Sequence, residues 1–339
     1  MARLFILSSF GLIFFLNSNS IYGQSWKEFD TSVKASLRGL SVVSENVVWA
    51  SGSDGTWLKT LDGGKTWDNG VIEGMDSVDF RSIHAFDAKN AVVASAGQPA
   101  VIYRTSDGGK NWDHMMTLSK EAFLDGISFS DSLNGFVFGD PLKGHWMILK
   151  TTDAGRSWSH MENPPKVVEG EAGFAASGSS MVSSENLLWI GSGGAESNLW
   201  FSGDSGQSWE KFRSPLAQGE PSKGIFSTCF ADSDLVVSVG GDYLNPEEAD
   251  STLGIFSISK KKWLDTESQL SGYRSGVTYL AQKKLLVAVG PSGSDISMDL
   301  GKNWTSFDDK GYHAVMTDRS SEVVWASGSQ GRIAKLIQH

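Results

Sequence analysis

An octapeptide recurs along this chain and limits what the chain can fold into. It reads (Ser/Thr)-x-Asp-x-Gly-x-(Thr/Ser/Asn)-Trp at residues 60–67 (TLDGGKTW), 105–112 (TSDGGKNW), 151–158 (TTDAGRSW), 202–209 (SGDSGQSW) and 297–304 (SMDLGKNW). These residue types suit a tight turn between two antiparallel strands. The Asp side chain accepts hydrogen bonds from backbone N–H groups just downstream, and the Gly takes a positive φ that a Cβ would resist. The Trp adds a large apolar body suited to a wedge between packed sheets. Asp62, Asp107, Asp153, Asp204 and Asp299 are therefore read as turn residues, and Trp67, Trp112, Trp158, Trp209 and Trp304 as core. Five copies, each closing a repeat of roughly 41–54 residues, amount to an internal period, and that period decides the architecture.

A second element recurs seven times: a short apolar run ending in Gly, at 47–52, 92–97, 136–139, 187–191, 236–240, 285–290 and 323–328. Continuous runs of this length suit strands buried on both faces. Another strand precedes each run, at 40–43, 82–86, 127–129, 177–181, 225–230, 277–280 and 314–317. Each unit thus reads as strand A, turn, strand B, loop, strand C, octapeptide turn, strand D. The fifth unit keeps only the Trp of its octapeptide (SISKKKW, 257–263), and the seventh ends without a D strand. Residues 25–29 (SWKEF) are similar to the residues that close another octapeptide and run into its D strand (SWEKF, 208–212). Pairing them with the last unit would close the array and remove its open edges. The expectation is an all-β, seven-bladed β-propeller of four-stranded antiparallel blades, one domain over residues 24–339, with the N-terminal strand closing the last blade.

The octapeptides resemble the Asp-box, or BNR, repeat. That resemblance implies a β-propeller, as in sialidases, sortilin-type receptors, xyloglucan-hydrolysing endoglucanases and photosystem II stability/assembly factor-like proteins. The spacing and the short DGGKTW form look most like the last group, over nearly the whole chain after residue 23. By that resemblance the chain is expected to be a binding module that serves as an assembly or stability factor for another protein. The motif specifies architecture, not activity.

Residues 1–23 carry Arg3, a short apolar run, then polar Asn17 to Ser20 and a small residue at Gly23. That order is a signal peptide's, so the mature protein is expected in the periplasm or outside the cell, with no stable membrane insertion. The lone Cys229 sits in a strand-like run and reads as core. A formal charge of −10 argues against nucleic acid as a partner. The histidines are scattered and no nucleotide fingerprint opens a helix, so neither cofactor nor metal is expected, and an oxidoreductase has no residues to support it.

In a propeller the A strands line the channel, while loops before A and between B and C open on one face. That geometry collects Arg38, Arg81, Asp125, Asp140, Glu171, Asp242, Tyr243, Arg274 and His313 at one channel mouth. The longer loops at 139–146 and 241–253 lie there too. Arg38, Arg81 and Arg274, with His313, are expected to form a positive cluster for a small anion or an acidic group of a protein partner. The chain is expected to act as a monomer. The alternative is a carbohydrate-active hydrolase drawing on Asp125, Asp140, Glu171 and Asp242.

Overall fold

The computed structural model describes residues 23–338, and the expected signal segment lies almost wholly outside the described residues. Seven antiparallel sheets succeed one another, each containing four strands A to D paired in that order. In blade one these are Leu37–Val42, Val48–Gly52, Thr56–Thr60 and Asp68–Val71. The B strands are buried along their length, as their unbroken apolar runs require. The seventh blade takes its outer strand from the start of the described chain. Gln24–Phe29 pairs with Ile333–Gln338 in an unbroken antiparallel register from Gln24 opposite Gln338 to Phe29 opposite Ile333. Trp26 locks this closure: its ring packs on Tyr312 at 5.2 Å, and its indole N–H donates to Ser294 Oγ of blade six at 3.0 Å.

The octapeptide consensus is a hydrogen-bond pattern. In residues 60–67, Thr60 Oγ1 donates to Asp62 Oδ1 and accepts from Gly64 N–H at 2.9 Å, while Asp62 Oδ1 accepts from Thr66 N–H at 2.9 Å. Thr66 Oγ1 closes the ring onto Asp62 Oδ2 at 2.7 Å. The same four roles recur around Asp107, Asp153, Asp204 and Asp299. Two demands fix the fifth position as glycine. Its φ is 88° at Gly64 and at Gly109, and a Cβ on Gly109 would stand 2.6 Å from the Trp57 ring.

Four findings differ from the sequence expectation. The octapeptide tryptophans are mostly half-buried, with Trp304 alone buried; the deepest indoles are Trp49, Trp189 and Trp325 on B strands and Trp146 on the C strand of blade three. Trp112 meets Trp49 of the preceding blade edge-on at 6.4 Å, and Trp67 meets Trp325 likewise at 6.2 Å, so each is a wedge at a blade boundary. Blade five, which lacks its own octapeptide Asp, borrows one: Asp234 of the A–B turn accepts from Ser257 Oγ at 2.9 Å and Ser259 N–H at 2.7 Å. The fourth A strand is Met181–Ser184, not 177–181. The residues before it fold in towards the neighbouring A strands, where Ser179 Oγ and Ser227 Oγ share a hydrogen bond at 2.7 Å and Thr228 N–H donates to Ser179 O at 3.0 Å. Glu171–Ala172 and Gly193–Gly194 add two short strands to the inner edge of blade five, making that sheet six-stranded.

Candidate functional site

The inner ends of the A strands and the segment ahead of blade four enclose a cavity of about 560 Å³ at one mouth of the channel. Arg38 enters it from blade one and Arg81 from just before the A strand of blade two. Arg38 Nη1 reaches across to Ala176 O at 3.0 Å, tying blade one to the segment before blade four. Arg81 Nε donates to Asp79 Oδ2 at 2.7 Å. That leaves both Arg81 Nη nitrogens, and Arg38 Nε and Nη2, without partners among the described residues. Burial, and then the nearby Arg81, lower the pKa of Arg38, as expected for two guanidinium groups sharing one mouth.

The remaining sequence-selected residues divide sharply. Asp140, Tyr243 and His313 line the cavity with the two arginines. His313 Nε2 lies 3.2 Å from Ser36 Oγ and 2.9 Å from Ser329 Oγ, and burial, with Arg38, Arg81 and Arg332 adding repulsion, pulls its pKa down to about 3. It therefore contributes a neutral imidazole, not a positive charge. Arg274 is no part of the cavity. It is fully buried, donating from Nε to Asp295 Oδ2 at 2.6 Å and from Nη1 to Ser292 Oγ at 3.0 Å. Its position near the start of an A strand is similar to Arg38's, but a buried carboxylate on its own blade captures it.

Two of the candidate carboxylates are likewise consumed by structure. Glu171 Oε1 accepts from Ser192 Oγ at 2.5 Å, Trp200 Nε1 at 2.8 Å and Asn198 Nδ2 at 3.0 Å in a buried cluster. Asp242 caps its own loop, accepting from Leu244 N–H at 3.0 Å and Asn245 Nδ2 at 2.8 Å, and faces a smaller cavity of about 370 Å³. Asp125 and Asp140 are different. Asp140 lines the main cavity and spends Oδ1 on the Gly173 N–H at 2.9 Å. Asp125 is wholly buried just behind Gly173, with neither carboxyl oxygen hydrogen-bonded. Burial raises both pKa values, and the neighbouring Asp140 raises that of Asp125 further while Arg81 opposes it. The turn residues Asp62, Asp107, Asp153, Asp204 and Asp299 lie at the C–D turns and do not line this cavity.

Sequence reasoning missed the cavity's aromatic wall. Phe174 and Phe226 stack with ring centroids 3.7 Å apart, and Tyr273 meets Phe226 edge-on at 4.7 Å. Burial raises the pKa of the Tyr273 hydroxyl, so it stays protonated. Phe226 lay in an apolar run that reads as core, and Phe174 lay in the segment before blade four, where no periodicity marks a direction. For Phe226 the available signal was the blade template itself, because alternate side chains of a channel-lining strand face the channel; for Phe174 there was none.

Residues 18–121 match the family described as photosynthesis system II assembly factor YCF48. The solved structure titled YCF48 bound to D1 peptide superposes with a TM-score of 0.65 at 15% identity, covering 93% of this chain and 97% of that one. YCF48 from Cyanidioschyzon merolae gives 0.58 at 17% identity, covering 91% and 98%. The WD40 β-propeller domain of Doa1 gives 0.62 at 12% identity, covering 94% and 98%. No curated protein matches the chain. The chain is thus similar to photosystem II assembly-factor propellers, and it shares their seven-bladed fold.

Proposed function

We propose that this protein is an exported binding module that assists the assembly or stability of a partner protein, holding an acidic group of that partner at the channel mouth. The carrying observation is the pair of guanidinium groups, Arg38 and Arg81, that enter one cavity with several N–H donors unpartnered. Guanidinium forks of this kind favour carboxylates, and their grip strengthens where the site is partly shielded from water. The rigid ring of strands holds both arginines on element ends, so little conformational entropy is lost on binding. Exposed Tyr243 and Leu244 stand on the rim loop as apolar contacts for a larger partner. The likeness to a propeller whose structure is titled as bound to the D1 peptide supports a peptide partner. Export rests on the pattern of residues 1–23.

A peptide array graded in acidic content, probed with the mature protein, tests this reading. Acidic peptides should be enriched, and Arg38→Ala with Arg81→Ala should weaken them by about tenfold or more, with a flatter dependence on salt. Equal binding of acidic and neutral peptides, or an unaffected double variant, would overturn it. Mass spectrometry of the secreted protein's N-terminus should find residue 24 first.

A further inference from the structure

We propose that the channel-mouth cavity is selective for a zwitterion: a ligand whose carboxylate meets Arg38 and Arg81 and whose ammonium group meets Asp140, with an apolar body between. This rests on the reading that the arginines take a carboxylate, and adds a second, opposite recognition element to the same ligand.

The cavity wall holds negative as well as positive groups, and the two are not spent on each other. Arg81 is ion-paired to Asp79, and Asp140 makes no ion pair among the described residues. Asp140 keeps Oδ2 open to the cavity, because its one hydrogen bond, from Gly173, uses Oδ1. Behind it, Asp125 is completely buried with both oxygens unpartnered. A buried carboxyl without a donor is costly, and two neighbouring carboxyls make the cost larger. A positive group at Asp140 would relieve both.

Gly173 makes the juxtaposition possible. A Cβ there would lie 2.2 Å from Asp125 Oδ2 and 2.9 Å from the Phe138 ring, so only glycine lets the buried carboxyl come this close to the wall. The stacked Phe174 and Phe226 rings supply an apolar wall in the same cavity, and the edge-on Tyr273 ring extends it. Ammonium and carboxylate joined through an apolar or aromatic body describe an amino acid or a short peptide segment. The volume of about 560 Å³ falls in the range of small-ligand sites.

Four probes separate the possibilities by calorimetry: the tripeptide Gly-Phe-Gly, its N-acetyl form, its C-terminal amide, and free L-phenylalanine. The free tripeptide should bind about tenfold tighter than either single-charge form. Asp140→Asn, which keeps an acceptor for the Gly173 N–H, should bring the free tripeptide down to the level of its acetylated form. Arg38→Ala with Arg81→Ala should weaken both of these. If the acetylated and free tripeptides bind equally to the wild type, the zwitterion proposal fails while the carboxylate reading stands. If neither binds, or if both ignore the arginine variant, the carboxylate reading fails with it. Loss of the charge preference in a variant that also melts early would be checked with Asp140→Glu, which should restore it. L-phenylalanine binding as tightly as the tripeptide identifies a free amino acid as the ligand; weaker binding identifies a peptide segment.

Discussion

Removing Arg274 should unfold this propeller more readily than removing Arg81, although sequence position makes the two look alike. Arg274 and Asp295 are each about 1% exposed in their side chains and are joined at 2.6 Å. Arg274→Ala leaves the Asp295 carboxylate with only the Ser271 hydroxyl, 2.6 Å away, and the long Ser271 N–H contact at 3.4 Å. Breaking a buried pair from one side costs about 3–5 kcal/mol, because the remaining charge is uncompensated. Roughly 300 residues at about 2.1 cal/mol/K each give an unfolding entropy near 0.6 kcal/mol/K, so the melting temperature should fall by about 5–8 °C. Arg81 is a third exposed and its Asp79 partner a quarter, so Arg81→Ala should cost no more than about 1 kcal/mol. Replacing both partners, Arg274→Met with Asp295→Leu, should recover much of the loss. Differential scanning calorimetry of the three variants decides the matter. Equal melting of Arg274→Ala and wild type would mean that the buried pair carries no net stability, and the reasoning would fail.

Three further outcomes concern the closure, the borrowed turn and the buried imidazoles. Trp26→Ala should cost about 3–5 kcal/mol in urea unfolding, since it removes a buried aromatic at the one seam the chain closes without a covalent link; an unchanged midpoint would deny that closure its role. Asp234→Ala and Asp107→Ala should both lower the melting temperature, although Asp234 lies outside any octapeptide; a silent Asp234→Ala would show the borrowed turn to be idle. His84 and His313 have pKa values near 3 in the fold, lowered first by burial and then by nearby arginines. Their unfolded values lie near 6.5, so the unfolded chain takes up protons first and stability falls as pH drops from about 6.5 towards 3. Asp125 acts in the opposite sense, because its raised pKa favours folding as pH falls. The readout is therefore the difference between wild type and His84→Phe/His313→Asn, whose urea midpoint should decline less on acidification; identical declines would refute it.

The fold was legible because each blade repeats two signals that physics makes hard to disguise. An unbroken apolar run ending in Gly marks a strand buried on both faces, and a polar octapeptide marks the turn that follows the next strand. Counting the runs gave seven, and the orphan strand at 25–29 had one place to go. The site was less legible, since a repeat template predicts where a residue starts and not where its side chain ends. Arg38, Arg81 and Arg274 share a position relative to their blades. Arg274 alone is locked in a fully buried pair, with Asp295 on its own blade, and that pairing depends on a B–C hairpin whose register no pattern fixed. Glu171 and Asp242 were drawn inward in the same way by Trp200 and Asn245. In each case a local partner of matching chemistry outcompeted the channel, and such partners are visible only in three dimensions.

Blade five carries this reasoning one step further. Its sequence lacks the Asp and Gly of the octapeptide, so a consensus search assigns it no turn of this kind. The hydrogen-bond demand remains, because the backbone N–H groups that turn the chain from strand C to strand D still need acceptors when water is partly excluded. Asp234, held on the adjoining A–B turn, supplies its carboxylate to Ser257 and Ser259. Lys261 then adopts a φ of 47° where the other blades use glycine. What the repeat preserves is thus an acceptor at a fixed point beside each C–D turn, and the octapeptide is the commonest way for one segment to provide it. Moving the Asp back, by Ser259→Asp in an Asp234→Ala background, would not restore the turn by itself. The residues around Lys261 have no glycine to take the φ near 90° seen at the fifth octapeptide position. Adding Lys261→Gly should restore more of the lost melting temperature than Ser259→Asp alone. Full recovery by Ser259→Asp alone would show that the carboxylate, and not the backbone, is the whole of the requirement.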